Sequence, residues 1–263
     1  MQDLNVALIQ CPQEWEDKKA NLLFYEQQLE NLDPQTELVL LPEMFTTGFT
    51  MNTEHEEDYL NSNSLNWIKK QAAKYSTAIY TSLIIKENDQ TYNRGVFVRP
   101  NGEVHSYDKI KCFGLAKEDQ YYTPGEKTVI VEYKGWKFCL QICYDLRFPE
   151  ISRCAVSETN AEPDYHAILY VANWPKKRIN HWDALLPARA VENQAFVLAV
   201  NRVGLDGNQF EYNGHSMVID PNGQKLNELI EQSKNIQVQL KAKTIKEIRS
   251  ALPFLKAVSY THL

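Results

Sequence analysis

The chain has 263 residues, 43% hydrophobic and 24% charged, an ordinary globular composition with room for one large domain or two small ones. It carries 28 basic and 34 acidic residues, and the net charge of −6 argues against a nucleic-acid binder, which shows a basic face. Its five cysteines are an odd number with no CxxC or Cys/His spacing, which argues against a disulfide framework or structural zinc and for a reducing compartment, the cytoplasm.

Val6 to Ile9 reads as a buried strand; the N-terminus lacks the basic start and long apolar core of a signal peptide. Leu22, Tyr25, Leu29 and Leu32 recur at helical spacing, and Glu37 to Leu41 is again a strand. Ser64 is positioned to cap a helix whose inner face carries Leu65, Ile68 and Ala72. Thr77 to Ile85 is a strand. Arg94 to Arg99 and Glu103 to Tyr107 flank Asn101-Gly102, a hairpin signal, and Thr128 to Tyr133 and Trp136 to Ile142 flank Lys134-Gly135, a second. His166 to Val171 is a strand, Trp182 to Asn193 a helix with Leu185, Leu186 and Ala190 inward, and Ala195 to Asn201 a strand. His215 to Ile219 and a later strand, Ile236 to Leu240, flank Asn222-Gly223. Leu252 to Lys256 reads as an ordered tail suited to packing on a partner, and 257–263 shows no pattern. No run approaches the ~18 apolar residues of a membrane span. Strands alternating with helices in both halves, without a Pro/Gly/Ser linker, predict α/β layers in one domain.

Three strand ends carry chemistry. Cys143 closes the apolar run Trp136 to Ile142, and the polar residues after it are suited to opening a helix, whose N-terminus would lower a thiol pKa. Glu43 follows the strand Glu37 to Leu41, and Lys109 follows the first hairpin. A lone cysteine at a strand end is more often core filler than nucleophile. Acyl transfer from a C–N bond needs a thiolate, a base and a cation, and these three residues supply that set. The six histidines share no spacing that suggests a triad.

The strings LPEMF (41–45), YDKIK (107–111) and CYDLRFPE (143–150) occur in an order that resembles the nitrilase superfamily of carbon–nitrogen hydrolases. YNRGVFVRPNGE, NWPKKR, ARAVENQAFVLAVNRVG and GHSMVIDPNG extend the resemblance over about 1–256, leaving 257–263 as an irregular tail. CYDLRFPE and ANWPKKR point to the omega-amidase branch. The resemblance implies a four-layer α-β-β-α sandwich, pairing into homodimers or larger assemblies, and no metal or organic cofactor. It implies Cys143 as nucleophile, Glu43 as base, Lys109 with the backbone N–H of Tyr144 as oxyanion donors, and Glu118 as a second glutamate.

Phe45, Thr46, Tyr121, Asn173 and Trp174 are candidate pocket residues. Lys176, Lys177 and Arg178 read equally as a solvated run or as the source of a cation for a substrate carboxylate. Asp145 and Arg147 read as an ion pair fixing the loop, and Arg189, Glu192 and Asn193 as a helix-surface network or a brace for the site. The implied activity is hydrolysis of the terminal amide of a small dicarboxylic acid monoamide, such as 2-oxoglutaramate or 2-oxosuccinamate, which arise by transamination as in methionine salvage. Other readings are a different C–N substrate, such as an N-carbamoyl amine or aliphatic amide, or a non-catalytic binding protein. Neither a membrane nor a nucleic acid is an expected partner.

Overall fold

The strands that read as continuous apolar runs are those buried on both faces. A computed structural model describes residues 1–156 and 163–257. The first half contains β1 (Leu4–Gln10), α1 (Lys18–Glu30), β2 (Leu38–Leu40), β3 (Glu57–Asp58), α2 (Asn63–Tyr75), β4 (Ala78–Glu87), β5 (Gln90–Val98) and β6 (Val104–Asp108). The second contains β7 (Ile130–Tyr133), β8 (Trp136–Ile142), β9 (Ala167–Val171), α3 (Ile179–Asn193), β10 (Phe196–Val200), β11 (Val203–Leu205), β12 (Glu211–Asn213), β13 (Met217–Ile219), β14 (Lys234–Leu240) and α4 (Ala242–Ala251).

Two mixed sheets result. One has the order β14-β1-β2-β4-β5-β6, with β3 beside β4; the other has the order β13-β10-β9-β8-β7. Successive side chains of a strand point to opposite faces. Thus Val6 and Leu8 of β1, and Leu38 and Leu40 of β2, meet Phe138, Leu140, Leu169 and Leu198 of the other sheet in a central core. Their neighbours Ala7, Ile9 and Val39 face Tyr25 and Leu29 of α1 and Leu65, Ile68 and Ala72 of α2. Ile168, Tyr170, Val197 and Ala199 face Trp182, Leu186 and Ala190 of α3. The layers are therefore α-β-β-α in one domain, as the resemblance implies.

Both expected hairpins form, β5–β6 and β7–β8. Lys134 and Gly135 both have positive φ, +51° and +75°, the conformation of a tight type I′ turn.

Other expectations need correcting. Ser62, not Ser64, caps α2, its hydroxyl accepting from the Leu65 N–H at 2.9 Å. Ser64 lies inside the first turn, and its hydroxyl donates to Glu57 Oε1 at 2.6 Å. The strands flanking Asn222-Gly223 belong to different sheets: β13 pairs with β10, and β14 pairs antiparallel with β1. α4, which follows β14 and buries Ala242 and Ile245, was not among the expected elements. In the tail, Leu255 is buried in the α3-side core, while Leu252 and Phe254 are exposed. Of 257–263, only Ala257 is among the described residues, closing a turn that starts at Phe254. Among the described residues, no helix is long and apolar enough to cross a membrane.

Candidate active site

Topology brings four strand ends to one place. β2 and β4 are parallel, and β5 and β6 reverse direction twice, so β6 runs with β2. β8, β9 and β10 are parallel in the other sheet. The carboxyl ends of β2, β6, β8 and β9 lead to Glu43, Lys109, Cys143 and Asn173, the end of α/β sheets where ligands bind.

Cys143 opens a single 3₁₀ turn, Cys143–Arg147, with φ +44°. A non-glycine residue in this region is strained and holds only when its surroundings over-determine it. They do so from both sides. Asp145 is fully buried and accepts from the Ile142 N–H at 3.0 Å, the Tyr107 hydroxyl at 2.8 Å and the Lys111 N–H at 2.9 Å. Arg189 of α3 reaches the Leu146 carbonyl through Nη2 at 2.8 Å and Nε at 3.2 Å. Asp145 therefore does not pair with Arg147 as expected; it staples the turn to β6 and β8. Arg189 and Asn193 are buried rather than on the helix surface, and Arg189 braces the turn.

The charged groups form one closed set. Glu43, Lys109 and Glu118 are 0%, 1% and 0% exposed. Lys109 Nζ lies 2.9 Å from Glu43 Oε1 and 2.9 Å from each oxygen of Glu118. Asn93 Nδ2 donates to Glu43 Oε1 at 2.8 Å and to Glu118 Oε1 at 3.2 Å. The Phe113 N–H donates to Glu118 Oε2, and the Asn173 N–H to Glu43 Oε2 at 3.0 Å. Each carboxylate oxygen accepts about two hydrogen bonds. Glu118 is saturated on both oxygens, whereas Glu43 Oε2 keeps one open position.

Burial pulls the Lys109 ammonium towards neutrality, but Glu118 and Glu43 outweigh it and hold its pKa well above the usual lysine value. Burial raises Glu118 against the pull of Lys109, and Glu43 adds to the rise. The Cys143 thiol is pushed well above its ordinary value by burial and by Glu43, with Lys109 opposing. The expected lowering by a helix start is thus overturned: a one-turn helix has little dipole to set against burial and two carboxylates. The thiol rests protonated, 3.9 Å from the Asn173 carbonyl.

A cavity of about 670 Å³ opens above Cys143, Lys109 and Asn173. Tyr121, Trp174 and Arg178 line it, as does Tyr144. The Cys143 and Tyr144 N–H groups begin the 3₁₀ turn and so have no partner within it. Phe45 does not line the cavity. It is buried beneath the first helix layer, its ring 5.3 Å from Tyr25 and 5.7 Å from Trp67. Thr46 does not line it either; it is buried, and its carbonyl accepts from Asn21 of α1. Lys176 pairs with Glu211 on the surface, and Lys177 is exposed.

Sequence reasoning missed Asn93 and Arg147. Asn93 is a buried polar residue in the middle of β5, a signal in itself. Arg147 stacks over Trp174 at 4.6 Å, and its Nη1 lies 3.1 Å from His181 Nδ1. Arg178 stacks over Phe113 at 5.1 Å. Both guanidiniums line the cavity, and neither is ion-paired with a carboxylate among the described residues.

The carbon-nitrogen hydrolase family model matches residues 5–250. The chain is 40% identical to "Omega-amidase YafV" of Escherichia coli over 254 residues, 96% of each chain. It is 32% identical to "2-oxoglutaramate amidase" of Bacillus subtilis over 239 residues, 90% of this chain and 88% of the relative. A crystal structure of a CN-hydrolase superfamily protein from Xanthomonas campestris, with an arsenic adduct in its active site, superposes with a TM-score of 0.97 at 38% identity, covering all of both chains. The chain belongs to the carbon–nitrogen hydrolase family, the nitrilase superfamily, as an amidase of its omega-amidase branch.

Proposed function

We propose that this amidase hydrolyses the terminal amide of a small dicarboxylic acid monoamide, with 2-oxoglutaramate and 2-oxosuccinamate as its substrates, through a thioester on Cys143. The observation that carries the substrate class is the cavity itself. Its floor holds the nucleophile and a cation, and its wall holds Arg147 and Arg178, two cations without a carboxylate partner among the described residues. A substrate carboxylate supplies the missing anion through charge-assisted hydrogen bonds. The name of the Bacillus subtilis relative points to the same class of substrate.

The chemistry follows from the open position on Glu43. Cys143 Sγ attacks the amide carbon as its proton passes to Glu43 Oε2. The carbonyl π electrons move to oxygen, and Lys109 Nζ and the Tyr144 N–H stabilise the oxyanion. As the intermediate collapses, the C–N bond breaks and Glu43 returns the proton, so ammonia leaves and a thioester remains. Water then attacks the thioester, Glu43 taking its proton, and the dicarboxylic acid departs as the thiol is restored. Proton transfer by a positioned carboxylate suits a thiol that rests protonated. Glu118, saturated by donors, takes no proton; it fixes Lys109 and the Phe113 backbone. Five free thiols accord with action in the reducing cytoplasm.

The test is ammonia release from 2-oxoglutaramate by wild type and by Cys143→Ala. We expect wild-type turnover and, in the variant, loss of at least about four orders of magnitude, as for removal of an activated nucleophile. Comparable rates in the two proteins would remove Cys143 as nucleophile. Wild-type activity confined to N-carbamoyl amines would move the substrate class.

A further inference from the structure

One side of the cavity is built around a single indole. Trp15 is half-buried and lines the cavity. Its six-membered ring packs on Gly48, in the segment that follows Glu43, where a Cβ would lie 3.3 Å from Trp15 Cε3. Its five-membered ring packs on Gly207, in the loop joining β11 to β12, where a Cβ would lie 2.4 Å from Trp15 Nε1. Gly207 does not have a positive φ, so its backbone does not itself call for glycine; the indole is what excludes a side chain. The loop is tied down at its base. The Val203 N–H donates to the Cys11 carbonyl at 3.1 Å, and Arg202 Nη2 donates to the Gln13 and Leu205 carbonyls at 3.2 and 2.9 Å. Asp206 closes the loop on itself, accepting from the Asn208 and Phe210 N–H groups at 2.8 and 2.9 Å. Indole and loop therefore hold each other in place, and the open space beside the indole is the cavity.

The charge on this side decides which part of a substrate meets the ring. Glu16 and Asp206, the chain neighbours of Trp15 and Gly207, also line the cavity. Thr50 Oγ1 and Asn52 Nδ2 donate to the Glu16 carboxylate at 2.5 and 3.3 Å, and His55 Nε2 lies 3.2 Å from it. Two carboxylates here repel a substrate carboxylate, which Arg147 and Arg178, in the turns after β8 and β9, attract. What Trp15 meets is the uncharged middle of the substrate. At about 670 Å³ the cavity is in the range that holds drug-sized ligands, so its volume alone does not confine a small monoamide.

We propose that Trp15 is a specificity-determining residue: its indole, held by Gly48 and Gly207, limits the bulk of the substrate chain between amide and carboxylate and selects unbranched monoamides over branched ones. This rests on the reading of the site as one for dicarboxylic acid monoamides. An unbranched chain lies along the ring. A chain branched at its middle carbon must press the ring against the backbone at Gly48 and Gly207, where no space is left for it. Overfilling a packed apolar contact is costly, and a methyl group more or less in such a contact changes kcat/KM by about tenfold or more.

Removing the indole also loosens the loops it joins, so the test must separate selection from packing. Two changes of opposite sign do so. Trp15→Ala and Trp15→Leu take the ring away, whereas Gly207→Ala keeps it and drives it towards the cavity. The three variants are assayed with wild type on glutaramate and 3,3-dimethylglutaramate, and on butyramide and 3,3-dimethylbutyramide. The readout is the kcat/KM of each branched amide divided by that of its unbranched partner. Both Trp15 variants are expected to raise this ratio about tenfold, and Gly207→Ala to lower it by about the same factor. A merely structural role would lower branched and unbranched activity together and leave the ratio where it was. An unchanged ratio in the Trp15 variants, or a Gly207→Ala ratio that moves the same way as theirs, would overturn the proposal. Failure of the dicarboxylate reading shows differently: wild type would favour glutaramate no more than butyramide, with the ratio within each pair still reporting on Trp15.

Discussion

The floor and the wall of the cavity hold charge in opposite ways. On the floor, Glu43, Lys109 and Glu118 are fully buried, and every charge faces its opposite within 3 Å. On the wall, Arg147 and Arg178 are partly exposed and rest on aromatic rings rather than on anions. A buried charge left unpaired is costly, so the floor must be neutralised by the protein itself. A half-exposed guanidinium is tolerated because water and an aromatic face share the work. The floor is therefore part of what the fold requires, while the wall is free to wait for a ligand.

The sharpest way to break this contrast is to remove the floor's cation. Lys109→Met leaves two buried carboxylates facing each other. It is expected to cost about 3–5 kcal/mol of stability, read as a lower urea midpoint, and to abolish activity. Adding Glu118→Gln removes one of the stranded charges. The double variant is expected to regain part of that stability and none of the activity, since no oxyanion cation returns. A single variant as stable as wild type would mean that the floor is not held by charge pairing.

The wall answers differently. Arg147→Gln and Arg178→Gln are expected to unfold within about 0.5 kcal/mol of wild type, as substitutions outside the core do. Their effect belongs in KM: about a tenfold rise or more for the monoamide, with kcat little changed and butyramide kinetics unaffected. A fall in kcat with unchanged KM would place these residues at the chemistry rather than at the substrate carboxylate.

The same division governs what the sequence disclosed. Glu43, Lys109 and Cys143 stand at strand ends inside distinctive strings, and the fold brings them together with Glu118. The groups that fix them were hidden because their partners lie far along the chain. Asn93 meets Glu43 across 50 residues, and Arg189 meets Leu146 across 43. Asp145 was read as half of an ion pair fixing the loop because Arg147 is near in the chain, while Tyr107 is near only in space. Phe45 was drawn into the pocket by its closeness to Glu43. The turn after β2, with Met44 at φ +44°, sends it back under α1 and α2 instead. The layer order was legible because strands buried on both faces differ in pattern from helices with one apolar face; α4 went unread although its Ala242, Ile245 and Ile248 recur at helical spacing.

A pH-dependent effect concerns Asp145, which lies beneath the nucleophile turn and forms no ion pair among the described residues. Burial raises its pKa from the usual carboxylate range to about 6, although the Ile142 and Lys111 N–H groups, Lys109 and the Tyr107 hydroxyl pull it down. In the unfolded chain the group titrates near 4. Its raised folded value means that its favourable contribution to folding is fully present below about pH 4. That contribution is lost as pH rises through about 6, where the folded state must carry the buried charge. Asp145→Asn keeps an oxygen to accept one or two of the donors and cannot titrate. Its stability deficit relative to wild type is therefore expected to be larger at pH 4 than at pH 7, by roughly 1–3 kcal/mol. The difference is read from paired urea titrations across that interval. A deficit that instead grew as pH rose would show that the three hydrogen bonds outweigh burial, making the turn beneath Cys143 as well compensated as the Glu43–Lys109–Glu118 set beside it.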